Sequence, residues 1–267
     1  MKEAGFVSFA NCFSNDVNTF NLELRKCIEE KNFSFEVLGT LNNDLKDEVV
    51  LISKKNGDNL PNLLISAGFH GEEPAGVWAI LKFLILLNED DLKNINIAFL
   101  PLVNPSGIRA NHRYNYLGEN PNSNFCHVTD INKKPSEEGR LLLKHLNKLK
   151  DLAKDGFISL HEDEDFEEFY LYTFEKSDTP GGFSNMLREA EVKFFKPVPN
   201  GNVEKDEVIN GIIYKACDGS FEDMMFHHGI PRTACTETPG KLDVNLRIEA
   251  NLNIIKQSIN YVSSISR

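Results

Sequence analysis

The sequence predicts a single α/β domain over residues 1–267, with a central mixed, mostly parallel sheet and helices on both faces. Three observations support this fold class. Strand-like apolar runs alternate with amphipathic helical segments along most of the chain, as in βαβ units. No Pro-, Gly- or Ser-rich linker divides the chain. Its 267 residues are enough for one sizeable core.

The first half of the chain predicts a helix, a hairpin and a strand–helix unit. Apolar residues at helical spacing indicate the first helix. Two strand-like runs follow, and an Asn-Asn-Asp turn between them indicates a hairpin. A buried strand then ends at Gly68-Phe69-His70-Gly71, and Pro74 suits the first turn of the next helix. The predicted helices are residues 17–30 and 75–87, and the predicted strands are 33–38, 49–53, 63–67 and 95–103.

The second half begins with a long segment, residues 104–135, that is rich in Asn, Pro and Gly. A loop of this length in a compact domain usually has a function. Strands and helices alternate again beyond it. The predicted helices are residues 137–153, 180–192, 220–227 and 244–263, and the predicted strands are 156–160, 169–174 and 232–236.

Charge and cysteine usage restrict the partners and the compartment. A net charge of −11 argues against nucleic acid and favours a cationic substrate. No apolar run is long enough to cross a bilayer, and the first residues lack the apolar core of a signal peptide. We therefore expect a cytoplasmic monomer without a membrane partner, with leaderless secretion as the open alternative. Five scattered cysteines predict free thiols: Cys12, Cys27, Cys126, Cys217 and Cys235.

Four polar residues each follow a strand-like run, namely His70, Asn104, His161 and Glu237. Ligands gather at the carboxyl ends of strands in such sheets, so these side chains are predicted to share one site. His70 and Glu73 offer an imidazole and a carboxylate, and His161 completes the His₂Glu set of a catalytic zinc site. Glu237 is the candidate general base. Alone, the His-x-x-Glu pattern also fits a surface histidine beside solvated acids.

The other histidines fit a metal site less well. His145 lies in a helical pattern, and His112 and His127 lie in the long segment. His227 and His228 end a predicted helix, where a cation complements the helix dipole.

The ordered set His70-x-x-Glu73, Asn104-Pro105-Ser106-Gly107, Arg113, Asn122-Ser123-Asn124-Phe125, His161 and Glu237 resembles the zinc carboxypeptidase family of the carboxypeptidase A and B type. The similarity runs from about residue 61 to residue 240. The short spacing from Glu73 to His161 is similar to that of the compact bacterial branches. Those branches include murein-peptide amidases and amino-acid deacylases. The residues after His161 resemble the group of the rapid-encystment-phenotype carboxypeptidase.

The resemblance implies a role for each matching residue. One zinc ion is bound by His70, Glu73 and His161, and Glu237 is the general base. Arg113 corresponds to an arginine that steadies the oxyanion. Asn122 corresponds to an asparagine that helps to hold the terminal carboxylate of the substrate. Tyr214 corresponds to a mobile tyrosine that contacts the substrate, although a buried strand residue would also explain it.

The match departs from the family at Ser123, where the family has an arginine that clamps the substrate carboxylate. Serine cannot replace a bidentate charged fork. Arg109 or Arg188 could reach the site instead, or the substrate presents a different group there.

The side-chain preference depends on the register after Tyr214. An ungapped match places Phe221 in the specificity pocket, which favours apolar side chains. An inserted residue would place Glu222 there, or alternatively Asp218, and favour Lys or Arg. The acidic run at residues 162–168 is usually a solvated face, but at the rim of a site it would attract cationic peptides. Together these features favour substrates with a basic C-terminal residue.

The leading hypothesis is a zinc metallocarboxypeptidase that hydrolyses C-terminal residues of peptides with a zinc-activated water and Glu237 as the base. The substitution at Ser123 leaves two alternatives open. One is a zinc amidase or deacylase acting on murein peptides or N-acyl amino acids. The other is an inactive metal-binding recognition module, against which the retained ligand set and Glu237 speak.

Overall fold

The computed structural model describes residues 15–127, 130 and 132–265. Cys12 and the first residues of the chain, on which the signal-peptide prediction rests, lie outside these ranges. The chain forms a single α/β domain around an eight-stranded sheet of order β1-β2-β4-β3-β5-β10-β6-β9, which confirms the predicted fold class. The strands are β1 Ser34–Thr40, β2 Glu48–Lys54, β3 Asn62–Ala67, β4 Asn96–Leu100, β5 Gly156–Asp163, β6 Tyr170–Glu175, β9 Ile212–Tyr214 and β10 Arg232–Pro239, and a separate hairpin is formed by β7 Gly201–Val203 and β8 Asp206–Val208.

The sheet is parallel at its centre and mixed on both sides of it, because β2 pairs antiparallel with β4 while the edge strand β9 pairs parallel with β6. Strands β4, β3, β5 and β10 run parallel to one another. The β1–β2 hairpin is antiparallel, as predicted, and β6 pairs antiparallel with β10. The central strands are almost wholly buried, because helices cover both faces of the sheet.

Helices form one layer on each face of the sheet. The helices are α1 Val17–Lys31, α2 Pro74–Leu86, α3 Pro105–Ala110, α4 Glu137–Lys144, α5 Leu146–Leu152, α6 Gly182–Val192, α7 Phe221–His227 and α8 Val244–Ser263, with a short 3₁₀ turn at Glu89–Leu92. The core on one face contains residues of α1, α2, α6 and α8. The core on the other face contains residues of α4, α5 and α7. None of the described helices has both the length and the apolarity that a bilayer span requires.

Three local departures from the prediction have physical causes. The predicted helix at residues 137–153 is interrupted at His145, whose ring is 2.9 Å from the carbonyl oxygen of Leu38. The long segment contains α3, because the Asn104 side chain caps its first turn. The three-residue strands β7, β8 and β9 were not predicted, because so short a run carries no periodicity.

Candidate active site and metal centre

The turn between β3 and α2 places His70 and Glu73. The Gly71 N–H donates to the carbonyl oxygen of His112 at 3.1 Å. A Cβ added at Gly71 would lie 2.0 Å from the carbonyl carbon of Gly107, so only glycine fits this close approach. The turn that carries two predicted ligands is therefore packed directly against the start of the long segment.

Asn104 has a structural role in the same corner. Its side-chain oxygen accepts from the Gly107 N–H at 2.8 Å, and its amide donates to the carbonyl oxygen of Phe69 at 3.2 Å. Asn104 is fully buried. The Asn-Pro-Ser-Gly motif thus fixes the backbone next to His70 and supplies no catalytic group itself.

Three side chains converge as the sequence predicted: His70, Glu73 and His161. The Nδ1 atom of His70 lies 2.7 Å from Glu73 Oε1, and the Nδ1 atom of His161 lies 2.7 Å from Glu73 Oε2. All three side chains are buried, and their donor atoms lie within 4.8 Å of one another. Two imidazoles and a carboxylate focused on one point are the donor set of a catalytic zinc site, so these residues fit a metal ion.

Electrostatics keeps this carboxylate ionised. Burial alone would raise the pKa of Glu73, but the charges and hydrogen bonds of His70 and His161 outweigh burial and lower it below its usual range. Likewise, burial would lower the pKa of His161, but Glu73 and Glu222 raise it well above its usual value. Both shifts follow from the close approach of the imidazoles to the one buried carboxylate of Glu73.

The outer nitrogens of both imidazoles also have polar neighbours. The Nε2 atom of His70 lies 3.0 Å from Asn120 Oδ1. The Nε2 atom of His161 lies 3.3 Å from Asn122 Nδ2 and 3.7 Å from Glu222 Oε1. Metal-binding histidines usually have such a second partner, which fixes the ring and its tautomer. Asn120 was not predicted, because no local motif connects it to His70.

Glu237 lies beside the metal-binding group. It pairs with His161 in the register of β10 and β5. Its carboxylate lies within 4.8 Å of ligand atoms of His161 and Cys235. Burial, followed by the charge of Glu73, raises the pKa of Glu237 to about 8. A cation held by Glu73 would offset that charge and bring this pKa towards neutrality, where a general base works best.

Part of the acidic run after His161 is structural. The Glu162 carboxylate is buried, accepts from the Ala75 N–H at 2.6 Å and pairs with Arg247. It thereby satisfies a free N–H at the start of α2, the helix that follows Glu73. Asp163 accepts from the Tyr170 hydroxyl. The interpretation of residues 162–168 as a solvated face is therefore wrong for Glu162.

Arg113 lies at the mouth of the site. Its guanidinium is 3.4 Å from Glu72 Oε1 and 3.4 Å from Glu73 Oε1. Burial would lower the pKa of Arg113, but the carboxylates of Glu73, Glu237 and Glu72 raise it. The side chain is half-exposed, so this cation can also face a bound substrate.

A cavity of about 560 Å³ opens over the metal-binding group. Acidic side chains dominate its lining. Among the described residues that line it, Arg113 and Lys205 are the only lysine or arginine side chains. The acidic residues of the lining are Glu72, Glu162, Asp163, Glu164, Asp165, Glu204, Asp206, Asp218, Glu222 and Glu237.

Asn122 and Ser123 both line this cavity. The Asn122 amide contacts Glu222 at 3.1 Å, and its oxygen accepts from the Phe221 N–H at 2.9 Å. Neither arginine considered as a substitute clamp reaches the cavity. Arg109 pairs with Asp47 at 2.6 Å, and Arg188 donates to the carbonyl oxygen of Asn210. Lys205, from the turn between β7 and β8, was not predicted.

Two predicted substrate-binding residues lie elsewhere. The Tyr214 hydroxyl donates to the carbonyl oxygen of Ser177 at 2.8 Å, and its side chain lines a different pocket. Phe221 is fully buried, with its ring centroid 5.8 Å from that of Phe69, so apolar core packing removes it from the specificity pocket. Tyr172 lines the cavity instead. It neighbours Cys235 across the β6–β10 ladder, a pairing that the sequence did not reveal.

Solved structures of high similarity place this architecture in a family. A protein of Shewanella amazonensis assigned to the metallopeptidases is 38% identical, with a TM-score of 0.88 over 93% of this chain and 94% of that chain. A counterpart from Shewanella denitrificans is also 38% identical, with a TM-score of 0.87 over 94% and 92%. The chain therefore belongs to this family of metallopeptidases.

More distant comparisons agree with the fold. Residues 59–154 match the catalytic domain of the succinylglutamate desuccinylase/aspartoacylase family. A metallo-carboxypeptidase of Burkholderia cenocepacia is 14% identical, with a TM-score of 0.68 over 94% of this chain and 70% of that chain, a likeness of fold alone. Among the curated proteins, none matches the chain. Together with the His-Glu-His group, the family defines a metal-dependent hydrolase.

Proposed function

We propose that this protein is a zinc metallocarboxypeptidase that removes basic residues from the C termini of peptides. The observation that carries the proposal is one cavity that combines the His70, Glu73 and His161 donors with Glu237 and an acidic lining. The two imidazole nitrogens and the carboxylate are the ligands that zinc prefers in hydrolases. When bound, zinc supplies a Lewis acid that polarises the scissile carbonyl and acidifies water.

Glu237 moves the proton in the proposed reaction. Its carboxylate accepts a proton from the attacking water as the water oxygen bonds to the scissile carbonyl carbon. The same proton passes to the amide nitrogen when the C–N bond breaks, and the products are a shortened peptide and a free amino acid. The half-buried position of Glu237 beside His161 supports this role.

Arg113 stabilises the charge that develops on the carbonyl oxygen. Its guanidinium is held beside Glu73 and Glu72, so it is oriented before the substrate binds. A donor fixed in advance towards developing charge is a large contributor to hydrolysis of this kind.

The acidic lining supports a cationic side chain on the substrate. Among the described residues, ten carboxyl side chains line the cavity against one arginine and one lysine, and nine of the ten remain when Glu162, which is paired with Arg247, is set aside. The Oε1 atom of Glu222 lies in the wall of the cavity, where it accepts no hydrogen bond from the described residues and has a long contact of 3.7 Å with His161 Nε2. An ammonium or guanidinium group would satisfy this oxygen.

A deacylase is the second candidate. The match of residues 59–154 to the desuccinylase/aspartoacylase family and the serine at Ser123 favour it. However, succinylglutamate is a polyanion, and the acidic lining of this cavity would repel it. An N-acylated basic amino acid is the deacylase substrate that this charge would accept.

The test compares zinc-loaded protein on matched peptides that end in Lys, Arg, Leu or Glu, on their C-terminal amides, and on N-acetyl-lysine. We expect trimming of the free-acid peptides, with Lys and Arg preferred over Glu by at least about tenfold in kcat/KM. Cleavage of N-acetyl-lysine with intact peptides would instead assign a deacylase. Metal-loaded protein that cleaves none of these substrates would contradict both.

The variant Asp218→Asn tests the preference for a basic C-terminal residue separately from peptide hydrolysis itself. Asp218 is an exposed cavity residue, so its loss should reduce the preference for Lys over Leu without stopping hydrolysis. Asp178→Asn, which removes an exposed carboxyl group outside the cavity, is the matched control. If the wild type and both variants prefer Lys over Leu equally, Asp218 does not belong to the specificity pocket.

A further inference from the structure

A second group of metal-binding residue types lies outside the active-site cavity. It consists of Cys126 and His127 from the long segment and Asp223 and His227 from α7. Ligand atoms of Cys126, His127 and Asp223 lie within 4.8 Å of one another. None of these four residues lines the cavity over the first group.

Asp223 is the centre of this group. Its carboxylate is fully buried, with Oδ2 at 3.2 Å from His127 Nε2 and Oδ1 at 3.1 Å from His227 Nε2. The two imidazole rings meet edge to face, with their centroids 4.8 Å apart. Two imidazoles from different segments thus converge on one buried carboxylate, with a thiol alongside.

The donor chemistry separates this group from an ordinary surface ion pair. A thiol, two imidazoles and a carboxylate together are ligands of borderline-soft transition metals, zinc above all. Hard cations such as Ca²⁺ and Mg²⁺ take oxygen ligands instead. His127 has a left-handed backbone, with φ of 57°, a conformation uncommon outside glycine. The uncommon backbone conformation thus occurs at the residue whose ring contacts Asp223.

We propose that Cys126, His127, Asp223 and His227 bind a second zinc ion. Cys126, His127 and Asp223 supply three ligands in their present positions. The side chain of His227 is half-exposed and already contacts Asp223, so a rotation would make it the fourth. Four protein ligands define a structural zinc site, with no position left for substrate.

The proposed site connects two segments that form the wall of the active-site cavity. The long segment that carries His127 also carries Asn122 and Ser123, and α7 also carries Glu222. At present the Phe125 N–H donates to the carbonyl oxygen of Gly219 at 2.9 Å across the same junction. A zinc ion held from both sides would fix this junction, and with it the wall that faces the substrate.

The decisive measurement is the metal content of the full-length protein after zinc loading and desalting, with a reductant present. We expect two zinc ions per chain in the wild type and one in His127→Gln/His227→Gln. Both of these side chains are substantially exposed, so the variant should fold. His70→Gln should also retain one, because it affects only the first site. One zinc ion per chain in the wild type and in the double variant would overturn the proposal.

Cobalt substitution identifies the thiol. Burial, followed by the charge of Asp223, raises the pKa of the Cys126 thiol to about 12, so a thiolate at neutral pH requires a bound metal. A thiolate-to-cobalt charge-transfer band should appear in the wild type, persist in Cys217→Ser and disappear in Cys126→Ser. Disappearance in Cys235→Ser instead would assign the thiolate to the catalytic metal and overturn the proposal.

Discussion

The active-site cavity has two walls of different construction. The metal wall consists of His70, Glu73, His161 and Glu237, which lie at or just beyond the ends of β3, β5 and β10. The loop wall consists of Asn122, Ser123, Lys205 and Asp218, which belong to the long segment, the β7–β8 turn and the turn before α7. The metal-binding side chains are buried and contact one another, whereas Lys205 and Asp218 are exposed.

From this difference we predict that the fold separates the chemistry from the selectivity. Strands in a central parallel sheet are held by neighbours on both sides, so side chains at their ends have fixed positions. Loops tolerate substitution and insertion, and they carry specificity in many folds. The serine at Ser123 and the unpredicted Lys205 both occur in the loop wall. The comparison therefore predicts that variants in the metal wall stop the reaction, while variants in the loop wall redirect it.

Among variants that leave the metal in place, Glu237→Gln should reduce the reaction rate the most. The amide cannot accept the proton from water, so kcat should fall by about 10²- to 10⁴-fold. Zinc content should not change, because the three proposed ligands are intact. Kinetics on a peptide ending in Lys and metal analysis of the same samples provide the measurement.

Glu164→Gln is the control, because Glu164 is an exposed carboxyl group in the same cavity. It should keep kcat within about threefold of the wild type, as expected for an exposed surface charge. A fall in kcat as large as that of Glu237→Gln would mean that acidity of the cavity, and not a specific base, supports the reaction.

The sequence predicted the metal wall almost completely. His70, His161 and Glu237 follow apolar runs, and the His-x-x-Glu spacing places Glu73 on the same turn as His70. The same logic predicted α8 with its observed boundaries, because twenty residues of helical periodicity carry a strong signal.

The sequence also named Asn122, Ser123 and Asp218 of the loop wall, but it could not place the cavity residues that depend on long-range pairing or short turns. Tyr172 enters the cavity through an antiparallel pairing of β6 with β10, and Lys205 enters through the eight-residue β7–β8 hairpin, which carries no periodicity. Phe221 was misplaced because an ungapped match cannot show that its ring belongs to the core. Long-range pairing and short turns decide these positions, and neither leaves a local pattern.

Arg113→Met should have the next largest effect, because Arg113 lies where the two walls meet. Loss of a fixed oxyanion donor costs about 10²- to 10³-fold in kcat, and zinc content should be unchanged. Arg113→Lys should recover only part of this loss, because an ammonium lacks the planar fork of the guanidinium. Full activity in Arg113→Met would place Arg113 outside the reaction and leave the metal wall as the whole catalytic unit.

Glu191→Gln tests whether stability can change without altering either wall. Glu191 lies in α6, and both of its oxygens are buried without a hydrogen-bond partner among the described residues. Burial raises its pKa to about 8. Between its unfolded pKa of about 4.3 and that value, the folded state retains a proton that the unfolded state releases. Folding stability contributed by this group therefore falls as pH rises through this window.

The variant removes that pH-dependent loss. At pH 4 it should have little effect, and at pH 8 it should stabilise the fold by a few kcal/mol, at about 1.4 kcal/mol for each pKa unit. Urea unfolding at both pH values measures the difference. The specific activity of the folded enzyme should stay unchanged. An equal stability change at both pH values would show that ionisation of Glu191 is not responsible.

Lys205→Met should have the smallest effect and bears most directly on the loop wall. An exposed ammonium contributes about 0.2–1 kcal/mol to an ion pair, so KM for a free-acid peptide should rise by about twofold to fivefold with kcat nearly constant. The inhibition constant of the C-terminal amide of the same peptide, measured by competition with the free-acid peptide, should not change, because the amide carries no carboxylate. Lys193→Met, which removes an exposed charge outside the cavity, should alter neither constant. If Lys205→Met raises KM for the free acid and the inhibition constant of the amide equally, Lys205 does not recognise the carboxylate, and the loop wall selects its substrates by the acidic lining alone.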